Sequence, residues 1–315
     1  MHLLIHWHQT AYGGVDTVIQ GMLANWPNMD DTFTIIHNRD NPGIEVIKKM
    51  NIPLVIDYVV HPSPLFIFKS KYIRHFFLWL YLKMQKNYII KLLNNIQNVE
   101  AIIVHNGTYP GSIESIAALW AAKHMGTKKR MLVIHHGAIH ENMIMRPGES
   151  FMDMQLIKSW TTDFVAVSRA TRNTLIQNRR FDTSVNPIRV IHNGINVSPL
   201  TEKNKTNLRS KYEIHTDKIL LGMVGRIERY KGHEDLLFAL DDLSVNKRNK
   251  FHIIFIGSAG NHEKSRILAI AKKLNLDEII TFTGFLEGDV RLLISQLNIL
   301  AMLTKDFEGF GLTIL

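Results

Sequence analysis

The residues with the clearest chemical promise stand at the end of the chain, Thr304-Lys-Asp-Phe-Glu308-Gly309-Phe310-Gly311-Leu-Thr-Ile-Leu315. A strand-like run, Asn298–Leu303, leads into a polar turn, then an acid, then Gly-Phe-Gly, then an apolar run that reads as the start of a helix. A glycine-rich turn opening a helix presents unbonded backbone N–H groups and the positive end of a dipole, which suits a phosphate. The charge of Glu308 excludes it as a phosphate ligand and suits it to sugar hydroxyls beside one. Two further stretches have the same flavour. Leu3–Trp7 reads as a strand, and Gly13-Gly14 follows before a helical pattern of Val15, Val18, Ile19, Met22 and Leu23. That geometry suits a phosphate approach, and equally an ordinary turn. Met131–His135 is a strand that runs into His136 and Gly137. Side chains at the carboxyl end of a parallel strand line the ligand crevice. Neighbouring residues on a strand point to opposite faces, so one of His135 and His136 is expected to face it.

The elements that must hold these residues alternate between strand and helix patterns throughout, which predicts a parallel-sheet α/β protein. The strands are read at Leu3–Trp7, Phe33–His37, Pro53–Asp57, Ala101–His105, Met131–His135, Asp163–Ser168 and Ile188–His192, then at Lys218–Val224, Phe251–Ile256 and Ile279–Thr283. Ser168 is expected to cap the helix after its strand. Asn193-Gly194 closes the seventh strand as a turn signal. The polar stretch Val197–Thr206 reads as a linker. It separates a first domain, 1–197, from a second, 198–315.

The length of 315 residues fits two domains. A hydrophobic content of 46% and a charged content of 21% are those of an ordinary globular protein. The net charge of +9 calls for an anionic partner: nucleic acid, acidic lipid or a phosphorylated small molecule. With no cysteine, disulfides, thiol catalysis and Cys-based zinc sites are excluded. His135, His136, His140 and Glu141 do not form an H-E-x-x-H pattern, and Gly137 opposes a helix carrying His136 and His140 on one face. The N-terminus has neither the basic region nor the long apolar core of a signal peptide. Between Phe68 and Lys91, Lys69, Lys71, Arg74, Lys83, Lys86 and Lys91 are interleaved with aromatics. This is either a core helix with a solvated basic face or a membrane-surface helix.

The most specific pair of signals is Glu308-Gly-Phe-Gly311 together with Gly225-Arg226-Ile-Glu-Arg-Tyr-Lys231-Gly232. In the latter a buried strand ends in Gly-Arg, and Lys-Gly opens a helix striped by Leu236, Leu237, Leu240 and Leu243. These motifs resemble glycosyltransferase family 4, retaining enzymes of GT-B fold. The resemblance covers the whole chain and is clearer after about residue 130. It implies two Rossmann-like domains facing a central cleft, the second incomplete here. It also implies transfer of a sugar from a nucleotide-sugar donor to a glycan or lipid-linked acceptor, in the synthesis of a bacterial polysaccharide, lipopolysaccharide or other glycolipid. Arg226 and Lys231 would then hold the donor diphosphate, the first as a bidentate fork and the second as a point charge. Glu308 would hold donor-sugar hydroxyls, and His136 would contact the sugar near the reacting centre. Gly13, Gly14, Gly309, Phe310 and Gly311 would approach the diphosphate, and Phe285 and Leu286 would flank the base. No metal or other cofactor is implied, and no Asp-x-Asp site is present. The location implied is cytoplasmic, with peripheral contact to an anionic membrane through 68–91. The family's second Glu, eight positions after the first, would fall one position past Leu315. A polypeptide ending at Leu315 is therefore expected to be poorly active and marginally soluble. Two alternatives remain. A nucleotide-sugar epimerase would convert the donor without an acceptor, and an inactive fragment or interaction module would bind no nucleotide selectively. A dinucleotide oxidoreductase is disfavoured because no G-x-G-x-x-G follows the first strand. Nucleic-acid binding has charge in its favour and no motif.

Overall fold

The computed structural model describes residues 1–61, 70, 73, 76–96, 98–141, 146–195, 207–286 and 290–315. The stretch expected as a linker, and Lys69, Lys71 and Arg74 of the basic stretch, lie outside the described residues. The chain divides into two compact units. One is Met1–Ile195 with Glu308–Phe310, and the other is Asn196–Phe307 with Gly311–Leu315.

The first unit holds a seven-stranded sheet: β1 (His2–Trp7), β2 (Thr32–Asn38), β3 (Val55–His61), β4 (Val99–Asn106), β5 (Lys129–Ile134), β6 (Asp163–Ala166) and β7 (Ile188–Val190). The strands run in the order β3-β2-β1-β4-β5-β6-β7, every pair parallel. The order reverses between β1 and β4, and such a switch point opens a crevice outside the carboxyl ends of the strands. The connecting helices are α1 (Gly14–Ala24), α2 (Pro42–Lys49), α3 (Leu78–Leu93), α4 (Ile113–His124), α5 (Arg146–Gln155) and α6 (Arg169–Arg179).

Alternation along β1 sends Leu3, Ile5 and Trp7 into a core with Ile19 and Leu23 of α1 and Ile44 and Ile47 of α2. Leu4 faces the other way, into the larger core built from α3 to α6. Both faces of the sheet are thus covered, as a buried parallel sheet requires. In the larger core Arg179 is fully buried. Its Nε donates to Asp153 Oδ2 (2.9 Å) and its Nη1 to Glu149 Oε2 (2.6 Å), while the Tyr109 hydroxyl donates to Asp153 Oδ1 (2.5 Å).

The second unit holds β8 (Ile219–Val224), β9 (Phe251–Ile256), β10 (Ile280–Gly284) and β11 (Ile299–Leu300), parallel in the order β10-β9-β8-β11. Its helices are α7 (Leu208–Lys211), α8 (His233–Asp241), α9 (Val245–Arg248), α10 (Asn261–Lys273) and α11 (Val290–Ile294). Leu236, Leu237 and Leu240 of α8 bury against Ile253 and Phe255 of β9.

Three expectations are corrected. The third strand starts two residues late and runs on to His61, because β3 is an edge whose pairing is set by β2 alone. The run Asn298–Leu303 pairs as a strand over Ile299–Leu300 only. Leu312–Ile314 is a single 3-10 turn behind Gly311. A dipole argument for that turn, which needs several aligned peptide units, is not supported by these residues.

Candidate functional site

In the first unit the residues singled out from sequence follow the carboxyl ends of strands close together in the sheet, Gly13 and Gly14 after β1 and His135 and His136 after β5, with β4 between the two strands. After β1 the chain reaches Gly13, which caps α1, so that Gly14 is the first residue of an 11-residue helix. The Gly13 N–H donates to Asp16 Oδ2 (2.6 Å), and Asp16 N–H donates back to Gly13 O (3.1 Å). A buried acid in the first turn thus closes the cap. A Cβ on Gly13 would meet nothing within 4 Å, so its backbone is open to close approach.

His135 and His136 part company as expected. His135 is buried, with its Nε2 2.9 Å from His105 Nδ1 and the two rings stacked, while His136 is half-buried. Burial lowers the His135 imidazole to about 4, and desolvation holds His105 well below its ordinary range too. Both rings are neutral at pH 7. Backbone bonds from His135 N–H to Asn106 O and from His136 N–H to Gly107 O extend the β4–β5 ladder past the strands. Gly309 lies against this turn: a Cβ there would stand 2.0 Å from His135 O and 3.2 Å from His136 Cα. Phe310 tilts over His192 with ring centroids 5.4 Å apart and packs on the Ile103–Val133–Val165 cluster. Glu308 is half-buried.

In the second unit three glycines with positive φ stand at consecutive strand ends: Gly225 (139°), Gly257 (147°) and Gly284 (70°). A Cβ on Gly257 would lie 2.0 Å from Gly225 O, so the backbones touch where side chains would have separated them. Gly225 N–H donates to Ile256 O and Gly257 N–H to Gly284 O. Arg226 follows at the surface, its Nη1 2.5 Å from Glu228 Oε1. Lys231 ends a 3-10 turn, Arg229–Lys231, with its Nζ 5.3 Å from the Tyr230 ring centroid. Gly232 (φ 79°) then opens α8. Arg226 and Lys231 therefore sit on one short turn at the carboxyl end of β8. Phe285 is exposed after β10, whereas Leu286 packs on the small core of Leu208, Leu220 and Ile254. Gly311 (φ 76°) caps the last turn.

Some polar residues had no place in the sequence reading. Glu114 is buried at the start of α4, and it accepts from the hydroxyls of Tyr81 and Ser112. Burial would raise its carboxyl, but the charge of His8 and those hydroxyls outweigh burial and hold it below its ordinary value. His6 is buried with its Nδ1 3.3 Å from Ser115 Oγ, and its ring meets that of His61 edge-on. The alternation of His6 and His8 around Trp7 was the available signal. Among the described residues no group of three or more His, Cys, Asp or Glu side chains is placed to hold a metal ion.

Residues 12–199 match the model for Glycosyltransferase Family 4, and residues 204–315 match that for Glycosyl transferases group 1. The chain belongs to glycosyltransferase family 4. It is 32% identical over 127 residues to the O-antigen biosynthesis glycosyltransferase WclY of Escherichia coli, a match over 40% of this chain and 33% of that protein. The aligned stretch thus spans about a third of the curated relative's length. The family 4 chain superposes over its whole length on 77% of Anabaena Alr3699/HepE, a crystal structure in complex with UDP and glucose (TM-score 0.73, 15% identity). It superposes over 99% on 75% of a glycosyltransferase from Rickettsia africae (TM-score 0.73, 20% identity). These two likenesses are likenesses of GT-B fold. For the family 4 chain the two sheets are the two Rossmann-like halves expected from sequence.

Proposed function

We propose that this chain transfers a sugar from a nucleotide-sugar donor to a hydroxyl of a glycan or lipid-linked acceptor, with retention at the anomeric carbon, in bacterial surface-glycan or glycolipid synthesis. The observation that carries the reading is the turn after β8. Within eight residues, from Gly225 to Gly232, it presents Arg226, Lys231 and two positive-φ glycines at the carboxyl end of a parallel strand. That is an anion site built from backbone and cations. The O-antigen name of the WclY relative and the UDP and glucose of the Anabaena structure support the substrate class.

In this reading Arg226 and Lys231 neutralise the departing diphosphate. The bond from the anomeric carbon to the phosphate oxygen breaks, and one from that carbon to the acceptor oxygen forms on the same face. The acceptor proton passes to the departing phosphate oxygen. Glu308 holds donor-sugar hydroxyls and His136 lies near the reacting carbon. Gly13, Gly14, Gly309, Phe310 and Gly311 give close backbone approach, and Phe285, which is exposed, flanks the base with Leu286. No metal takes part.

The same reading assigns a peripheral contact with anionic lipid to α3. Phe76, Phe77 and Leu80 are exposed at its start, Lys83 and Lys91 are exposed along it, and no Asp or Glu occurs from Tyr58 to Val99. Among the described residues no helix is long and apolar enough to cross a membrane.

The test is thermal stabilisation by a panel of nucleoside diphosphates and their sugars, in the wild type and in Arg226→Ala. A ligand at a hundred times its dissociation constant adds about 2.7 kcal/mol. Selective stabilisation of the wild type, lost in the variant, is expected. Equal stabilisation of both would remove Arg226 from the site, and none in either would remove the donor reading.

A further inference from the structure

The loop that leads into Glu308 is tied by ion pairs to the helix that follows Lys231. We propose that Lys305, with Glu234 and Arg266, is a positioning residue that holds these two segments in the geometry that binds the donor's diphosphate. The proposal rests on the donor reading above.

Three observations within the second unit converge on it. The first is a backbone contact: a Cβ on Gly232 would stand 2.1 Å from Leu303 O and 2.7 Å from Leu303 Cβ. The loop after β11 therefore lies directly on the turn that carries Lys231. The second is a hydrogen bond from Lys305 N–H to Tyr230 O, 2.8 Å, which joins the loop to the residue before Lys231. The third is a chain of charges. Lys305 Nζ lies 2.8 Å from Glu234 Oε1 and 2.9 Å from Asp235 Oδ2, both in the first turn of α8. Glu234 Oε2 accepts from Arg266 Nη1, and the rest of that guanidinium holds Glu263 through Nε (3.0 Å) and Nη2 (2.7 Å). Lys305 and Arg266 together lower the Glu234 carboxyl to about 2, so the latch keeps its charges across the whole neutral range.

Neither segment has much regular structure of its own. Residues 301–311 contain no helix or strand, and the turn before α8 is three residues long. Loops of this kind sample alternatives unless something fixes them. The pairs made by Lys305 are partly open to solvent, and such pairs add little to global stability. Their effect here is on the separation of two segments that must both meet one ligand, where preorganisation sets affinity. Lys305 is three residues before Glu308 and makes no claim on the ligand itself.

The experiment measures dissociation constants of UDP, GDP, ADP, CDP and dTDP for the wild type, Lys305→Met, Lys305→Arg and Glu234→Gln, with the melting temperature of each ligand-free protein. For the diphosphate that the wild type selects, Lys305→Met is expected to bind about tenfold more weakly. Its ligand-free melting temperature should move by only a few degrees, and Lys305→Arg should restore most of the affinity. Unchanged affinity in Lys305→Met, with or without a lower melting temperature, overturns the proposal and leaves the donor reading intact. A wild type that selects no diphosphate overturns both. Lys305 is partly exposed, so its variants report even if Glu234→Gln folds poorly.

Discussion

Arg226 Nη1 and Glu228 Oε1 lie 2.5 Å apart on the turn after β8, with both side chains partly open to solvent. The guanidinium assigned to the diphosphate is thus already engaged by a carboxylate two residues away. A phosphate arriving at Arg226 must share the fork with Glu228 or displace it. Exposed pairs of this kind are worth about 0–1 kcal/mol. Glu228→Gln is therefore expected to bind the selected nucleoside diphosphate about two- to fivefold more tightly. Its salt dependence should be steeper, because the uncovered guanidinium adds positive charge to the site, and titration calorimetry at two ionic strengths checks both. Weaker binding in Glu228→Gln would mean that the carboxylate orients Arg226 rather than competing for it.

Gly232 has no tolerable substitute. Its φ of 79° lies in the left-handed region, and its Cβ would fall 2.1 Å from a backbone carbonyl oxygen. A side chain there meets a strained conformation and an immovable neighbour at once. Gly232→Ala is expected to destabilise the second unit by about 2 kcal/mol or more, read as a lower urea midpoint. A stability equal to wild type would show that the 301–306 loop yields easily, which would also weaken the latch argument.

Acid should unfold this protein through its histidines. Burial lowers His135 in the first unit and His233 in the second to about 4 each, against 6.5 for an exposed ring. Folded, these rings stay neutral; unfolded, they take up protons as soon as the pH passes below 6.5. The unfolded state binds more protons between those values, so stability falls as pH falls, from about 6.5 down to 4. Each ring contributes a loss of about 2 kcal/mol between pH 7 and pH 5. His6 and His105, also lowered by burial, act in the same direction. Urea titrations at pH 7 and pH 5 test this, and His233→Gln should flatten the dependence for the second unit. An unchanged midpoint at pH 5 would mean that these rings reach solvent in the folded state.

Much of this architecture was legible because its signals are local. Largely apolar runs such as Leu3–Trp7 and Phe251–Ile256, each broken by a single histidine, are read as strands because a sheet covered on both faces needs them mostly apolar. The Ser168 cap is visible in sequence, and its hydroxyl does accept the Thr171 N–H at 3.0 Å. What escaped was of two kinds. Helix α2 is only eight residues long, too short for a periodic pattern, although Asn41 and Pro42 mark its start: Asn41 Oδ1 accepts the Gly43 N–H. The pairs Lys305–Glu234 and His105–His135 join residues 71 and 30 positions apart, and no spacing rule reaches across strands whose order is unknown. At the candidate site, the glycines and cations announced themselves through type and spacing. Some of their partners are local, as Asp16 is to Gly13 and Glu228 to Arg226, but others, such as His105 beside His135 and the Lys305 loop against Gly232, are distant in sequence and appear only once the sheet is assembled.

The core of the first unit buries a group of charges around Arg179. Arg179, Glu149 and Asp153 are each less than 5% exposed; both carboxylates accept from the Arg179 guanidinium, and the Tyr109 hydroxyl donates to Asp153. Burial pushes the Asp153 carboxyl up to about 6 even beside the guanidinium, a sign of how little water reaches it. Removing the cation leaves two carboxylates in the core without a counter-charge, and one must take up a proton or the core must open. Breaking a buried pair from one side costs about 3–5 kcal/mol. Arg179→Met should therefore lower the stability of the first unit by that order. Adding Glu149→Gln and Asp153→Asn to Arg179→Met should recover part of the loss, because it removes the uncompensated charges. A triple variant no more stable than the single one would mean that Arg179 acts through its packing beneath the Tyr109 ring, 5.3 Å from its guanidinium carbon, and not through its charge.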